Sequence, residues 1–128
     1  MSKIRFIQAG LFTTVQDGGR RGYQSLGMPT AGAMDTYAFS LANALVGNSL
    51  DQSAIEATLL GPTIEIDTDC VFAVTGADMG AALNGQSIEL NRAYAAKSGG
   101  NFNPAISAKA ERNIFLKERV KSCTKTRL

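Results

Sequence analysis

The sequence predicts a mainly β domain with one or two helices, its strands curling into a barrel or folded sheet. Three observations carry this. Short segments rich in β-branched and aromatic residues recur between residues 3 and 96, set apart by Gly-Pro and Asn-Gly turns. Apolar residues sustain helical spacing over residues 35–46, with only a second, weaker candidate near the C-terminus. The remaining long stretch, residues 16–32, has no period and is rich in glycine. The 128 residues fit one domain, and a chain of this size buries roughly two-thirds of its extended surface.

Residues 3–8 mix Ile, Phe and charged side chains and predict a first strand, which Gly10 interrupts. Thr13, Thr14 and Val15 predict a short second strand. Residues 16–32, QDGGRRGYQSLGMPTAG, hold five glycines and Pro29 and predict a long ordered loop; loops of this length are uncommon in small domains and often functional. In the helix over residues 35–46, Ala38, Leu41, Ala42, Leu45 and Val46 form the apolar stripe, Asp35 is the N-cap and Gly47 the stop. Strands are expected over residues 54–60, before the Gly61-Pro62 turn, and over 63–66, where Ile64 and Ile66 share a face. Residues 70–75 form a nearly continuous apolar run, as a buried strand would, with Cys70 packing as a small hydrophobe. Asn84-Gly85 marks a hairpin, with strands following over 87–90 and 92–96. From Gly99 the pattern decays; residues 108–120 predict a short amphipathic helix and residues 122–128 a disordered end.

Composition narrows the chemistry. Histidine is absent, which removes Ser-His-Asp and Cys-His catalysis and His-based zinc sites from this chain, and no metal ligand set is expected. Cys70 and Cys123 are too few and too distant for a disulfide framework. No apolar run is long enough for a membrane span and the N-terminus lacks a signal-peptide core, so the expectation is a cytoplasmic protein with no membrane partner. Charge divides unevenly: residues 1–98 carry six basic and nine acidic side chains, residues 99–128 seven basic and two acidic. Such a break marks a tail or boundary. Basic residues without interleaved aromatics read as a solvated tail, so no nucleic-acid partner is expected.

The chemistry concentrates between residues 16 and 35. Gln16, Asp17, Arg20, Gln24 and Asp35 lie among glycines that let a backbone approach a ligand. Arg20 and Arg21 can clamp a carboxylate or phosphate through paired hydrogen bonds, and the helix opening near Asp35 offers free N–H groups and a positive dipole end. Asp17 can act as a base or hold a substrate amide, or it can simply pair with Arg20 across a turn. Asp35 can cap the helix as well as line a site. No GxxxxGK[ST] phosphate loop is present. Residues 75–78, Thr-Gly-Ala-Asp, end an apolar strand, where a ligand contact and a plain turn are equally good readings.

These residues resemble a known family. GLFTTVQDGGRRGYQSLGMPTAGAMD (residues 10–35) is similar to the N-terminal signature of the allophanate hydrolase subunit 2 family, and LANALVGN (41–48), AIEATLLGPTIEI (54–66) and TGADMGAALNG (75–85) resemble its next blocks in order and spacing. The family is also known as the C subunit of 5-oxoprolinase, and includes the KipI antagonist KipA and the carboxyltransferase region of biotin-dependent urea carboxylase. The resemblance implies a cyclophilin-like β-barrel, here incomplete. It implies a subunit 1 (KipI-like) partner and an ATPase/hydrolase subunit, in a complex that opens the small-molecule lactam 5-oxoproline to glutamate with ATP. It implies no cofactor bound by this chain; ATP is used by the complex, and biotin enters in the alternative reading, carboxyl transfer to urea. A KipA-like regulatory binding role and an inactive fragment are further alternatives. Carried over by position, Asp17, Arg20 and Asp35 are the expected catalytic residues, and Gln16, Gly22, Gly32 and Met34 the expected substrate-binding ones.

The resemblance covers residues 3–98. Residues 99–128 do not resemble the family's continuation, and the charge reversal falls at the same place. The expected organisation is therefore a barrel-type domain over residues 1–98 and a divergent basic tail over 99–128, as a frameshift or premature stop would leave. A barrel short of strands exposes unpaired edges, so self-association is an expectation.

Overall fold

The computed structural model describes residues 4–19, 22, 24–28, 31–104 and 114–120. Among the described residues, ten strands and one α-helix follow in order: β1 (Ile4–Gln8), β2 (Phe12–Gln16), α1 (Thr36–Leu45), β3 (Ala54–Thr58), β4 (Thr63–Ile66), β5 (Cys70–Gly76), β6 (Ala81–Leu83), β7 (Gln86–Ser87), β8 (Arg92–Ala96), β9 (Gly100–Pro104) and β10 (Ile114–Val120), with a 3-10 turn at Gln24–Leu26. The mainly β expectation holds. The strands form two five-stranded antiparallel sheets, ordered β1-β4-β9-β6-β7 and β2-β3-β10-β5-β8, and the barrel does not close. Among the described residues no helix is long and apolar enough to cross a membrane.

Alternation along the strands decides which residues meet. In β5, Cys70, Phe72 and Val74 point between the sheets and join Ala57, Ile64, Ile66, Met79, Ala81 and Ala96 in the main core. Burying a side chain such as Phe72 or Ile64 contributes roughly 1.5–3 kcal/mol each. Ala73 and Thr75 are also fully buried but lie on the opposite face of β5, where the Thr75 hydroxyl donates to the Ala38 carbonyl of α1 at 2.6 Å. Thus α1 covers the outer face of the second sheet, and a smaller cluster of Ala33, Ala38, Phe39, Ala42 and Ala54 fills that contact.

The caps agree with the sequence. Asp35 Oδ1 accepts from the Ala38 N–H at 3.0 Å, and Gly47 follows the helix at φ 71°. The stripe is rotated from expectation: Ala38, Phe39, Ala42, Asn43 and Val46 are buried, while Leu41 and Leu45 are half-buried. A polar side chain, Asn43, takes a core position because it has backbone carbonyls to bond. The Asn84-Gly85 hairpin is present, both residues at positive φ. Its return strand is short, ending at Ser87 rather than running over 87–90.

The expected helix over residues 108–120 is corrected. Residues 114–120 are β10, paired with β5 from Ile114↔Gly76 to Val120↔Cys70, and with β3 at Ile114–Leu116. Neighbours on both sides supply ladder bonds that a lone helix would have to make internally, and such tertiary pairing overrides local propensity. β9 and β10, both beyond residue 98, are each the middle strand of a sheet.

Candidate functional site

The glycine-rich stretch folds back on itself beside the N-terminal end of α1. The Asp17 carboxylate accepts from the Gly19 N–H at 2.9 Å, closing a tight turn. That turn meets the segment before the helix, where the Ala33 N–H donates to the Asp17 carbonyl at 3.4 Å. At Gly19 (φ 77°) and Gly32 (φ 140°) both the backbone conformation and the close approach of the other segment require glycine. A Cβ on Gly19 would strike the Ala31 carbonyl, and one on Gly32 would lie 2.9 Å from the Gly19 Cα. The same turn rests on Asp51, whose Cβ is 3.1 Å from where a Cβ on Gly18 would stand.

A cavity of about 840 Å³ opens between these segments. The turn lines it with Asp17, Gly18 and Gly19, the pre-helical segment with Ala31, Gly32 and Ala33, the helix with Thr36, Phe39 and Ser40, and the following loop with Leu50 and Asp51. Its lining is about equally polar and apolar, with the carboxylate-bearing Asp17 and Asp51 and the hydroxyl-bearing Thr36 and Ser40 beside Phe39 and Leu50. Thr36 begins α1, so the positive end of the helix dipole also points at this region.

Two buried polar side chains support the walls. Glu56, on the helix side of β3, is only 5% exposed and accepts from the Met34 N–H at 3.1 Å. Burial pushes its carboxyl above the usual range; the Met34 N–H pulls it partly back, and the charge of Asp35 raises it further. Asn43, fully buried in α1, donates through Nδ2 to the carbonyls of Leu50 at 3.3 Å and Gln52 at 2.8 Å.

Of the residues expected at the site, Asp17 and Gly32 line the cavity. Asp35 sits one residue before the helix and acts as its N-cap; it is not among the lining residues. Met34 donates its backbone N–H to Glu56, and the residue is 83% exposed. Gln16 ends β2 and donates to the Thr14 hydroxyl at 3.0 Å, away from the cavity lining. Gly22 is exposed at φ 92° with open space around it. Arg20, with Arg21, lies outside the described residues. Asp78 turns back to accept from the Gly80 N–H, so residues 75–78 read as a strand-ending turn. Sequence reasoning missed Asp51, Ser40, Asn43 and Glu56. The available signals were weak: Glu56 is the lone charge in the AIEAT strand, and Asn43 the lone amide in an otherwise apolar helix turn.

Comparison with known proteins places the chain. The family model for the carboxyltransferase domain, subdomain A and B, matches residues 26–108. The C subunit of 5-oxoprolinase from Escherichia coli (strain K12) is 45% identical over 85 residues, which are 66% of this chain and 27% of that protein. The urea amidolyase of Lachancea kluyveri is 46% identical over 84 residues, 65% of this chain and 5% of that one. Among solved structures, the Kluyveromyces lactis urea carboxylase superposes with a TM-score of 0.82 at 35% identity, covering 91% of this chain and 10% of that chain. The chain spans little more than a quarter of the 5-oxoprolinase relative and a small fraction of the urea amidolyases. With a family model over most of its length and this likeness in sequence and structure, the chain belongs to the carboxyltransferase-domain family, subdomain A and B, alongside the 5-oxoprolinase C subunits and the urea amidolyases.

Proposed function

We propose that this chain forms the substrate-binding part of a subunit in an ATP-dependent 5-oxoprolinase-type complex. The observation that carries the reading is the 45% identity to the 5-oxoprolinase C subunit, the relative of whose length this chain covers the larger share. The cavity suits the substrate. In 5-oxoproline the lactam N–H lies between the ring carbonyl and the carbon that bears the carboxylate. The Asp17 and Asp51 carboxylates supply acceptors for the N–H, the Thr36 and Ser40 hydroxyls supply donors for the carbonyl, and the opening of α1 favours the carboxylate. Arg20, next in sequence to Gly19 of the cavity, is assigned the carboxylate clamp. Hydrolysis adds water across the ring C–N bond, the nitrogen takes a proton and glutamate leaves. The ATP-driven step belongs to an ATPase/hydrolase partner, and a subunit 1 (KipI-like) protein completes the assembly.

Co-expression with those two partners tests the reading: ATP-dependent release of glutamate from 5-oxoproline is the expected result. A folded, partner-binding assembly that leaves 5-oxoproline intact contradicts it. Arg20→Ala is expected to abolish turnover in a folded assembly, and full activity there removes the clamp.

A second reading, carboxyl transfer from biotin to urea, is favoured by the family model and by the 46% identity to a urea amidolyase. A cavity of about 840 Å³ has room for the bicyclic ring of biotin, whose ureido N–H groups suit the same two carboxylates. Urea-dependent carboxylation with a biotinylated carrier, in place of glutamate release, would select it.

A further inference from the structure

We infer that Asn43 is a positioning residue that sets Asp51 as a ligand-facing carboxylate of the cavity, an inference that rests on the cavity being the substrate site proposed above. Asp51 is an exposed loop residue, and an exposed aspartate on a loop samples many positions unless its backbone is fixed. Here the backbone is fixed from beneath. The Asn43 side-chain amide bonds the carbonyl on each side of Asp51, Leu50 at 3.3 Å and Gln52 at 2.8 Å. The Asn43 carbonyl accepts from the Asn48 N–H at 2.9 Å, and the Gln52 N–H donates to the Ser49 carbonyl at 3.1 Å, so the loop closes on both sides of the bracket. The other face of Asp51 is against Gly18, where any larger residue would push on its Cβ. Leu50 and Asp51 both line the cavity, and Asn43 does not.

A buried amide is a costly way to hold a loop. Asn43 is fully enclosed, and its Oδ1 has no hydrogen-bond partner among the described residues. A half-satisfied buried polar group costs stability that an apolar residue of the same size would not. An apolar residue would fill the volume but leave the two carbonyls, and with them Asp51, without their bracket. The arrangement gives up packing to fix one short segment, and that segment carries a carboxylate into the cavity.

The test compares wild type, Asn43→Ala, Asp51→Ala and the double variant, each assembled with its partners. Two quantities are read: KM and kcat for 5-oxoproline, and amide hydrogen exchange at residues 50–52. Asn43→Ala is expected to raise KM about tenfold with kcat nearly unchanged, and the double variant to be no worse than Asp51→Ala, because the two act through one contact. Exchange at residues 50–52 should quicken in Asn43→Ala while the strands stay protected. Faster exchange with an unchanged KM, or effects that add in the double variant, would overturn the proposal by leaving Asn43 a loop staple. If Asn43→Ala does not fold, Asp51→Ala alone decides, since the exposed side chain can be removed safely: an unchanged KM defeats the inference. If the wild-type assembly leaves 5-oxoproline intact, the reaction assignment has failed instead. The same four proteins are then read for the KM of urea in the carboxylation assay, with the same two outcomes.

Discussion

The two faces of the second sheet are built from alternate residues of the same strands, yet they are held by different forces. On the inner face of β5, Phe72 and Val74 enter an apolar core with Ile64, Ile66 and Met79. On the outer face, a small apolar cluster of Ala33, Ala38, Phe39, Ala42 and Ala54 is joined by directed hydrogen bonds from Thr75 of β5 to α1 and from the segment leading into α1 to Glu56 of β3. The inner face supplies bulk stability and tolerates any well-packed apolar filling. The outer face supplies direction: it fixes the Met34 N–H and the Ala38 carbonyl, on either side of Thr36, which lines the cavity. A sheet can thus serve stability on one side and a site on the other, with a period of two keeping the roles apart.

Substitutions can break or sharpen this division. The largest expected effect is on the inner face, where Phe72→Ala should cost about 3–5 kcal/mol in denaturant unfolding while any properly folded fraction binds ligand normally. A loss of ligand affinity out of proportion to the folded fraction would show that the faces are not separable. Next is Gly19→Ala, which demands a positive φ of a residue with a Cβ and drives that Cβ into the Ala31 carbonyl. It should cost about 1–3 kcal/mol and weaken ligand binding as the two cavity segments part; unchanged affinity would remove this glycine contact from the site. Thr75→Val keeps the buried volume and deletes the bond to the Ala38 carbonyl, for about 1 kcal/mol in thermal unfolding. Here hydrogen exchange should quicken in α1 but not in β8, and uniform loosening of both would contradict a role confined to the outer face.

The smallest effect is the sharpest in sign. Folded, Glu56 holds its proton more tightly than it would unfolded, chiefly because it is buried. The folded state is therefore favoured at low pH, and that advantage is lost as pH rises from the ordinary carboxylate range through the raised value. Glu56→Gln keeps an acceptor for the Met34 N–H and removes the titration. Its unfolding midpoint should lack the decline that wild type shows over this window, and identical profiles would mean that Glu56 titrates alike in both states.

Much of this was legible in the sequence because local signals and the fold agree. The Asp35 cap, the Gly47 stop, the Asn84-Gly85 hairpin and the apolar run at β5 are each settled within a few residues of chain. The glycine-rich stretch from residue 16 to 32 marked a functional loop, and the structure brings its Gly19 and Gly32 to the cavity. What stayed hidden depends on distant partners. Residues 108–120 read locally as an amphipathic helix, and it is the pairing of residues 114–120 with β3 and β5 that makes them a strand. Asn43 is an ordinary helix residue until residues 50–52 supply carbonyls to bond, and Glu56 looks like an exposed strand charge until α1 covers it. Asp51 lies outside the glycine-rich stretch and reaches the cavity only because the chain turns back after α1.

The most direct measurement is a titration of the isotope-labelled chain with 5-oxoproline, following backbone amide shifts residue by residue. Saturable shifts concentrated at Gly18, Gly19, Ser40 and Asp51 are the expected result, with β8 and the hairpin at residues 84–85 unmoved. Saturable shifts confined to other surfaces, or none at concentrations that support turnover of the assembled complex, would contradict the assignment of this cavity as the substrate site.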